Sequence, residues 1–214
     1  MSRRRTPPPQ PWIPIRRLEP RHRHRLTTHL LALSPQDRYR RFGHVASDAQ
    51  ICRHVAQLDF RRDELFGVFD ARLRLIATAH LACPPADLSH DIGAEFGVSV
   101  LPDARGLGLG RRLFDHAALH ARNRGLGRLY IHALAENTAM LAIARAAGAT
   151  ITRSGPEADA WIELPPETVA SQVEQWLEHG AAELDYGLKR QMRRLSGWWR
   201  RQPSGASAED ESAS

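Results

Sequence analysis

The chain has 214 residues, 42% of them apolar, with a formal charge of +6 and a pI of about 10.3. That is enough chain for one domain with a real core, and no apolar run nears the roughly 20 residues that a membrane span requires. The opening MSRRRTPPPQPW lacks the apolar stretch of a secretory signal, and Cys52 and Cys83 are too few for a disulfide framework, so a cytoplasmic setting is expected.

In chain order, residues 1–11 are rich in Arg and Pro and read as a disordered tail. WIPIRRL (12–18) is a short β-type run. Glu19–Pro20 opens a helix with Leu26, Leu30 and Leu33 at helical spacing. Ser34 can cap a second helix with Pro35 in its first turn. A third, capped by Ser47 or Asp48, carries Ile51, Val55 and Leu58 on one stripe. ELFGVFD and RLIATAHLA around DARLR have a hairpin signature. Pro84–Pro85 then break the pattern, and residues 86–91 read as loop. A strand is expected near 92–101, a helix over about 108–124 and a strand over 128–134. A short helix in ENTAMLAIARAAGA stops at Gly148, and strands follow at 149–154 and 159–164. From Pro166 a long amphipathic helix carries Val169, Val173, Trp176, Leu184, Leu188 and Met192 on its stripe. Residues 201–214 read as a second disordered tail. The order β-α-α-α-β-β-β-α-β-α-β-β-α describes an α/β (α+β) fold, a mixed sheet flanked by helices.

The basic charge is uneven. All but one of the 30 basic residues are arginine, Lys189 being the exception, and residues 1–41 hold eleven arginines against Glu19 and Asp37. A patch of charge is a footprint rather than a motif, so a solvated basic face is favoured over a nucleic-acid partner.

The chemistry concentrates in DARGLGLGRRL, residues 103–113. A strand, a glycine turn and a helix N-terminus together bind anions, because the first N–H groups of a helix lack internal partners and the dipole adds positive charge. Arg105, Arg111 and Arg112 add cationic donors. The P-loop pattern is absent, since neither its lysine nor its hydroxyl follows, and the dinucleotide G-x-G-x-x-G spacing fails as well. The pattern that fits is [RQ]-x-x-G-x-[GA], met by Arg105, Gly108 and Gly110.

In its context, AEFGVSVLPDARGLGLG followed by YIHALAENTAMLAIARAAGA, this stretch resembles the pyrophosphate-binding motif of the GNAT superfamily, the acetyl-CoA-dependent N-acetyltransferases. The resemblance spans roughly residues 13–164 and implies a mixed, mostly antiparallel sheet of about six to seven strands with a long C-terminal helix. The implied domain is 12–165, with a helical extension at 166–200. LSPQDRYRRFG resembles a stretch in the subset that includes domains fused to acyl-CoA synthetases and acting on protein lysines. The cosubstrate implied is acetyl-CoA. Backbone groups of Val98, Val100 and Leu101 would pair with its pantetheine arm. Amides of Arg105, Gly106, Leu107, Gly108, Leu109, Gly110 and Arg111 would hold the pyrophosphate. Asn137 would sit near the pantetheine or the departing thiol, unless it is a plain helix cap.

Acetyl transfer needs a neutral amine, a polarised carbonyl and a proton for the leaving thiolate. A strand N–H near Val98 could polarise the carbonyl. Glu95 falls where a number of family members place a glutamate that relays the amine's proton, and it shares a strand face with Gly97 and Ser99. Where many members have a proton-donating tyrosine, this chain has Ala144, with Ala149 in place of a phenylalanine. His132, Ser99 or water remains as donor; alternatively the chain binds acyl-CoA without turnover. His116 and His120 stand four apart on a helix but lack a third ligand, so no metal is expected. GWWRRQ fits a continuation of the C-terminal helix better than a membrane contact. The expected partners are an amine acceptor, small molecule or protein, and a homodimer is compatible with the reading.

Overall fold

The computed structural model describes residues 13–85 and 93–164. The expected tails, the loop at 86–91 and the helical extension at 166–200 lie outside the described residues.

The elements run β1 (Ile15–Arg17), α1 (Arg23–Leu31), α2 (Pro35–Phe42), α3 (Asp48–Gln57), β2 (Glu64–Phe69), β3 (Leu75–Ala82), β4 (Ala94–Val100), α4 (Leu109–Asn123), β5 (Arg128–Leu134), α5 (Thr138–Ala146), β6 (Thr150–Ser154) and β7 (Glu157–Glu163). The seven strands form one sheet in the order β1-β2-β3-β4-β5-β7-β6. Every pairing is antiparallel except β4 with β5. This is the expected mixed, mostly antiparallel sheet flanked by helices. The expected first helix is divided: a 3-10 turn at Pro20–His22 precedes α1. β7 starts earlier than expected, because the turn before it is only Gly155–Pro156.

The sheet is buried on both faces. Phe66, Val68, Phe96 and Leu129 pack with Leu113, Ala117, Leu141 and Ala144 from α4 and α5. Leu65, Phe69 and Leu75 pack on the opposite face with Leu26, Leu30, Ile51 and Val55 from α1 and α3. Strand alternation explains the division, since neighbouring side chains point to opposite faces. His116 and His120 belong to this interior: both rings meet Phe66 edge to face, and His120 Nδ1 lies 2.6 Å from Glu64 Oε2. No helix among the described residues is long and apolar enough to cross a membrane.

Much of the N-terminal arginine content is spent internally. Arg23 donates to the carbonyls of Val55 and Leu58, Arg25 to Leu73, and Arg112 to Ile13. Arg38 does the most. It donates to the carbonyls of Leu33 (3.2 Å), Ala46 (3.0 Å) and Leu31 (2.8 Å) and to Asp48 (2.7 Å). It thereby ties the end of α1, the start of α3 and α2 together. The Leu31 carbonyl sits where α1 ends and has no intrahelical donor, while those of Leu33 and Ala46 lie in the connections outside the helices. Ser34 caps α2 through Asp37 N, and Gly43 ends it in the left-handed conformation with φ 74°. Replacing Arg38 by alanine is expected to lower the free energy of unfolding in urea by about 2 kcal/mol. A loss within error of zero would show that another contact holds this corner.

Candidate active site

The strand pair β4–β5 is in register only at Ala94–Leu129 and Glu95–Tyr130. From Phe96 onward β4 pairs with β3 alone, while β5 continues with β7. The strands therefore separate, and a cleft of about 500 Å³ opens beside β4. Its lining includes Val98, Ser99 and Val100 of β4, the glycine turn, Asn137, and Asp37, Arg40 and Arg41 of α2.

The glycine turn stands at one end of the cleft. Gly106 and Gly108 have φ of 77° and 69°, the left-handed region that glycine enters without steric cost. Gly110 serves differently: a Cβ there would lie 3.3 Å from Ile143 Cδ1, so its absence lets α4 pack closely on α5. Among the described residues, no N–H from Gly106 to Arg111 donates to a main-chain carbonyl; the first to do so is Arg112, to Gly108 at 3.1 Å. A run of free amides thus meets the positive end of α4. The arginine side chains are already engaged: Arg105 with Asp37 (2.6 Å), Arg111 with Asp115 (2.8 Å) and Arg112 with Ile13. Burial would raise the Asp37 carboxyl, but the Ser34 hydrogen bond and the Arg105 guanidinium hold it below its ordinary pKa.

Most residues expected to hold a cofactor border this cleft: Val98, Val100, Arg105, Gly106, Gly108, Leu109, Gly110, Arg111 and Asn137. Leu101 does not. Its N–H donates to Ile76 O and its carbonyl accepts from Ala104 N, both at 2.9 Å, so its N–H is not free for another chain. The Leu107 side chain is exposed, away from the lining. Asn137 caps α5, its Oδ1 accepting from Met140 N at 3.2 Å, and also borders the cleft.

A second cavity of about 410 Å³ adjoins the first through Arg40 and Arg41. Glu95 and His132 are both here, with Glu157 and Asp159. Glu95 is exposed, and the His132 Nδ1 lies 2.6 Å from Asp159 Oδ1. Ala144, by contrast, is 0% exposed in the core and borders neither cavity.

Ser99 was open as a proton donor, and its surroundings decide the matter against it. His29 on α1, 2% exposed, places Nδ1 2.9 Å from Leu75 O and Nε2 2.8 Å from Ser99 Oγ. A carbonyl only accepts, so Nδ1 carries the proton and Nε2 accepts from the serine hydroxyl. Ser99 therefore commits its proton to His29 and retains lone pairs. Burial lowers the His29 pKa to about 4, with Arg41 and Arg74 adding to the shift, so the ring is neutral. Sequence reasoning missed His29 because nothing in RHRHRLTTHL distinguishes it from its neighbours.

Comparison with known proteins now bears on this geometry. The model of the acetyltransferase (GNAT) family matches residues 24–149, more than half the chain. The chain belongs to the GNAT acetyltransferase family. As an acyltransferase fold it is similar to the GNAT domain of PAT from S. lividans, at 22% identity and TM-score 0.60, over 70% of this chain and 89% of that one. Spermidine N-acetyltransferase from Vibrio cholerae, in complex with CoA and spermine, matches at 19% identity and TM-score 0.56, over 71% and 95%. The yncA protein of Salmonella typhimurium, with its cofactor acetyl-CoA, matches at 13% identity and TM-score 0.55, over 74% and 97%.

The buried neutral histidine makes this GNAT domain acid-labile. In the unfolded chain His29 takes up a proton near pH 6.5, whereas in the folded state it does so only near pH 4. Its contribution is thus complete above pH 6.5 and falls as the pH drops toward 4. The expected slope for His29 is up to about 1.4 kcal/mol per pH unit, as one proton more is bound by the unfolded state. His22 and His54, also lowered to about 4, chiefly by burial, act in the same window. Urea melts between pH 7 and 4.5 should show a smaller loss of stability for His29→Gln than for wild type. Equal slopes would mean that His29 is protonated in the native state.

Proposed function

We propose that the protein transfers an acetyl group from acetyl-CoA to a primary amine, by direct attack in a ternary complex. The observation that carries this reading is the run of unpartnered amides from Gly106 to Arg111 at the head of α4. They fit a pyrophosphate, whose charge matches both the N–H donors and the helix dipole. The adjoining open edge of β4 fits the amide-bearing pantetheine arm as an added strand. The cleft volume, about 500 Å³, is in the ordinary range for a small-molecule site.

When bound, acetyl-CoA supplies an activated thioester acyl group. Main-chain N–H groups near Val98 are the donors available to polarise its carbonyl. Asn137, whose Oδ1 is spent on the α5 cap, has its amide NH2 left to donate toward the arm. The adjoining cavity takes the amine, where Glu95 accepts its proton, directly or through water. His132, held by Asp159, is the second proton carrier in that cavity. With Ala144 at the usual tyrosine position and the Ser99 proton bonded to His29, the thiolate takes its proton from water. A thiol of pKa about 8.5 makes this leaving group adequate without an enzymic acid. The similarity to spermidine N-acetyltransferase supports an amine as acceptor, and the reading leaves it on a protein or a small molecule.

Titration calorimetry with coenzyme A should give saturable heat. Gly108→Ala places a Cβ at a φ of 69° and is expected to weaken binding about tenfold, a cost near 1.4 kcal/mol. Amines should accelerate thiol release from acetyl-CoA. No heat with well-folded wild type would end the reading, and heat without amine-dependent thiol release would leave a binding module.

A further inference from the structure

Among the described residues, Arg41 alone borders both cavities and the small void under Leu26, Leu30 and Leu58. Its guanidinium lies on β4 at Gly97. A Cβ placed there would be 2.7 Å from Cζ and 2.9 and 2.8 Å from the two terminal nitrogens. Three nearly equal distances put the face of the guanidinium, not an edge, against the strand. Its N–H donors lie in that plane and point sideways, along the cavity walls. On the same side stand His54, His80 and Thr78, and the Phe42 ring is 5.2 Å from Cζ.

No ion pair or hydrogen bond to this guanidinium occurs among the described residues. Burial lowers its pKa, and the one opposing influence is the charge of Glu95, which reaches it without a direct contact. Half-buried at the junction of the cavities, the guanidinium has donors that the described residues leave unused, and a planar fork of that kind fits a carboxylate bidentately. The pyrophosphate is not the anion in question. Gly97 lies three residues before Val100, about 10 Å along the strand, and the glycine turn begins farther on still. What reaches Gly97 is the acyl end of the arm or the acceptor.

We propose that Arg41 binds a carboxylate at the junction of the two cavities, so that one substrate carries a carboxylate near the reacting carbon. That carboxylate has two sources: the far end of a dicarboxylic acyl group, as in succinyl-CoA, or the α-carboxylate of an amino acid acceptor. The donor version rests on the coenzyme A site proposed above and would put a dicarboxylic acyl group in place of acetyl; the acceptor version does not depend on that site.

Matched pairs test it. Succinyl-CoA and butyryl-CoA share a four-carbon acyl chain and differ in the terminal carboxylate. Leucine and phenylalanine are each paired with the amine left by removing their carboxylate, and these pairs are titrated without a cofactor. By calorimetry or chemical-shift titration, wild type should prefer the carboxylate member of one kind of pair by about tenfold or more. Arg41→Gln should bring that ratio to about one, and Arg41→Lys, a point charge without a fork, should fall between. Gly97→Ala keeps the charge but displaces the guanidinium, and should also reduce the ratio. The neutral member of each pair is the reference within each variant, so a general loss of folding cancels. A response to the acyl-CoA pair assigns the donor; a response to the amino acids assigns the acceptor. Ratios near one in wild type, or a preference that survives Arg41→Gln, overturn the proposal. If coenzyme A itself fails to bind, the acetyltransferase reading falls, and the amino acid pairs still decide Arg41.

Discussion

Beyond Glu95, β4 has a neighbour on one side only. A strand edge inside a protein leaves N–H and carbonyl groups that must find partners or lose free energy. Native sheets usually cover such an edge; here β5 starts in register and then departs with β7. The space between them is roofed by α2 and bounded by the first turns of α4 and α5. The unpaired edge, the free amides of the glycine turn and the cap of α5 thus face one cleft. Each is a place where regular structure stops with hydrogen-bonding groups unspent. The proposed function occupies the gap left by an incomplete sheet.

The other side of the cleft depends on where α2 is held. Its hydrophobic contribution is small, since no residue of α2 is buried. Polar contacts do the holding: Arg38 ties it to α1 and α3, and Asp37 reaches Arg105 on the glycine turn. Arg40 lies 3.7 Å from Glu136, just before α5. Ion pairs across a cleft are individually weak in water, so they set position more than stability. A ligand entering beneath them can break one contact and make another at little net cost. The arginine-rich N-terminal region therefore yields less free positive surface than its composition suggests.

Legibility in the sequence followed the range of the interactions. The glycine turn, the helix after it and the Asn137 cap are set by residues within a few positions, and they were readable. Period-two alternation also placed Glu95, Gly97 and Ser99 on one face of β4. It could not say what covers that face. Arg41 on Gly97 and His29 on Ser99 arrive from helices more than fifty residues earlier in the chain. In a chain with so many arginines and several histidines, their neighbours in sequence look the same. Leu101 shows the opposite error: it continues the strand pattern, yet its amide turns back to Ile76. Local pattern identifies a strand but not the residue at which its hydrogen bonds change partner.

The face of β4 under α1 and α2 also has a consistent electrostatic character. Arg41 lowers the proton affinity of His29 and of His54, adding to burial in both cases. These two imidazoles stay neutral beside the guanidinium. Glu95 is exposed and borders the second cavity. A carboxylate beside the reacting amine or acyl carbon would meet the Arg41 guanidinium, while Glu157 and Asp159 also line the second cavity. Gly97 makes the arrangement physically available, because any side chain at that position would hold the guanidinium away from the strand.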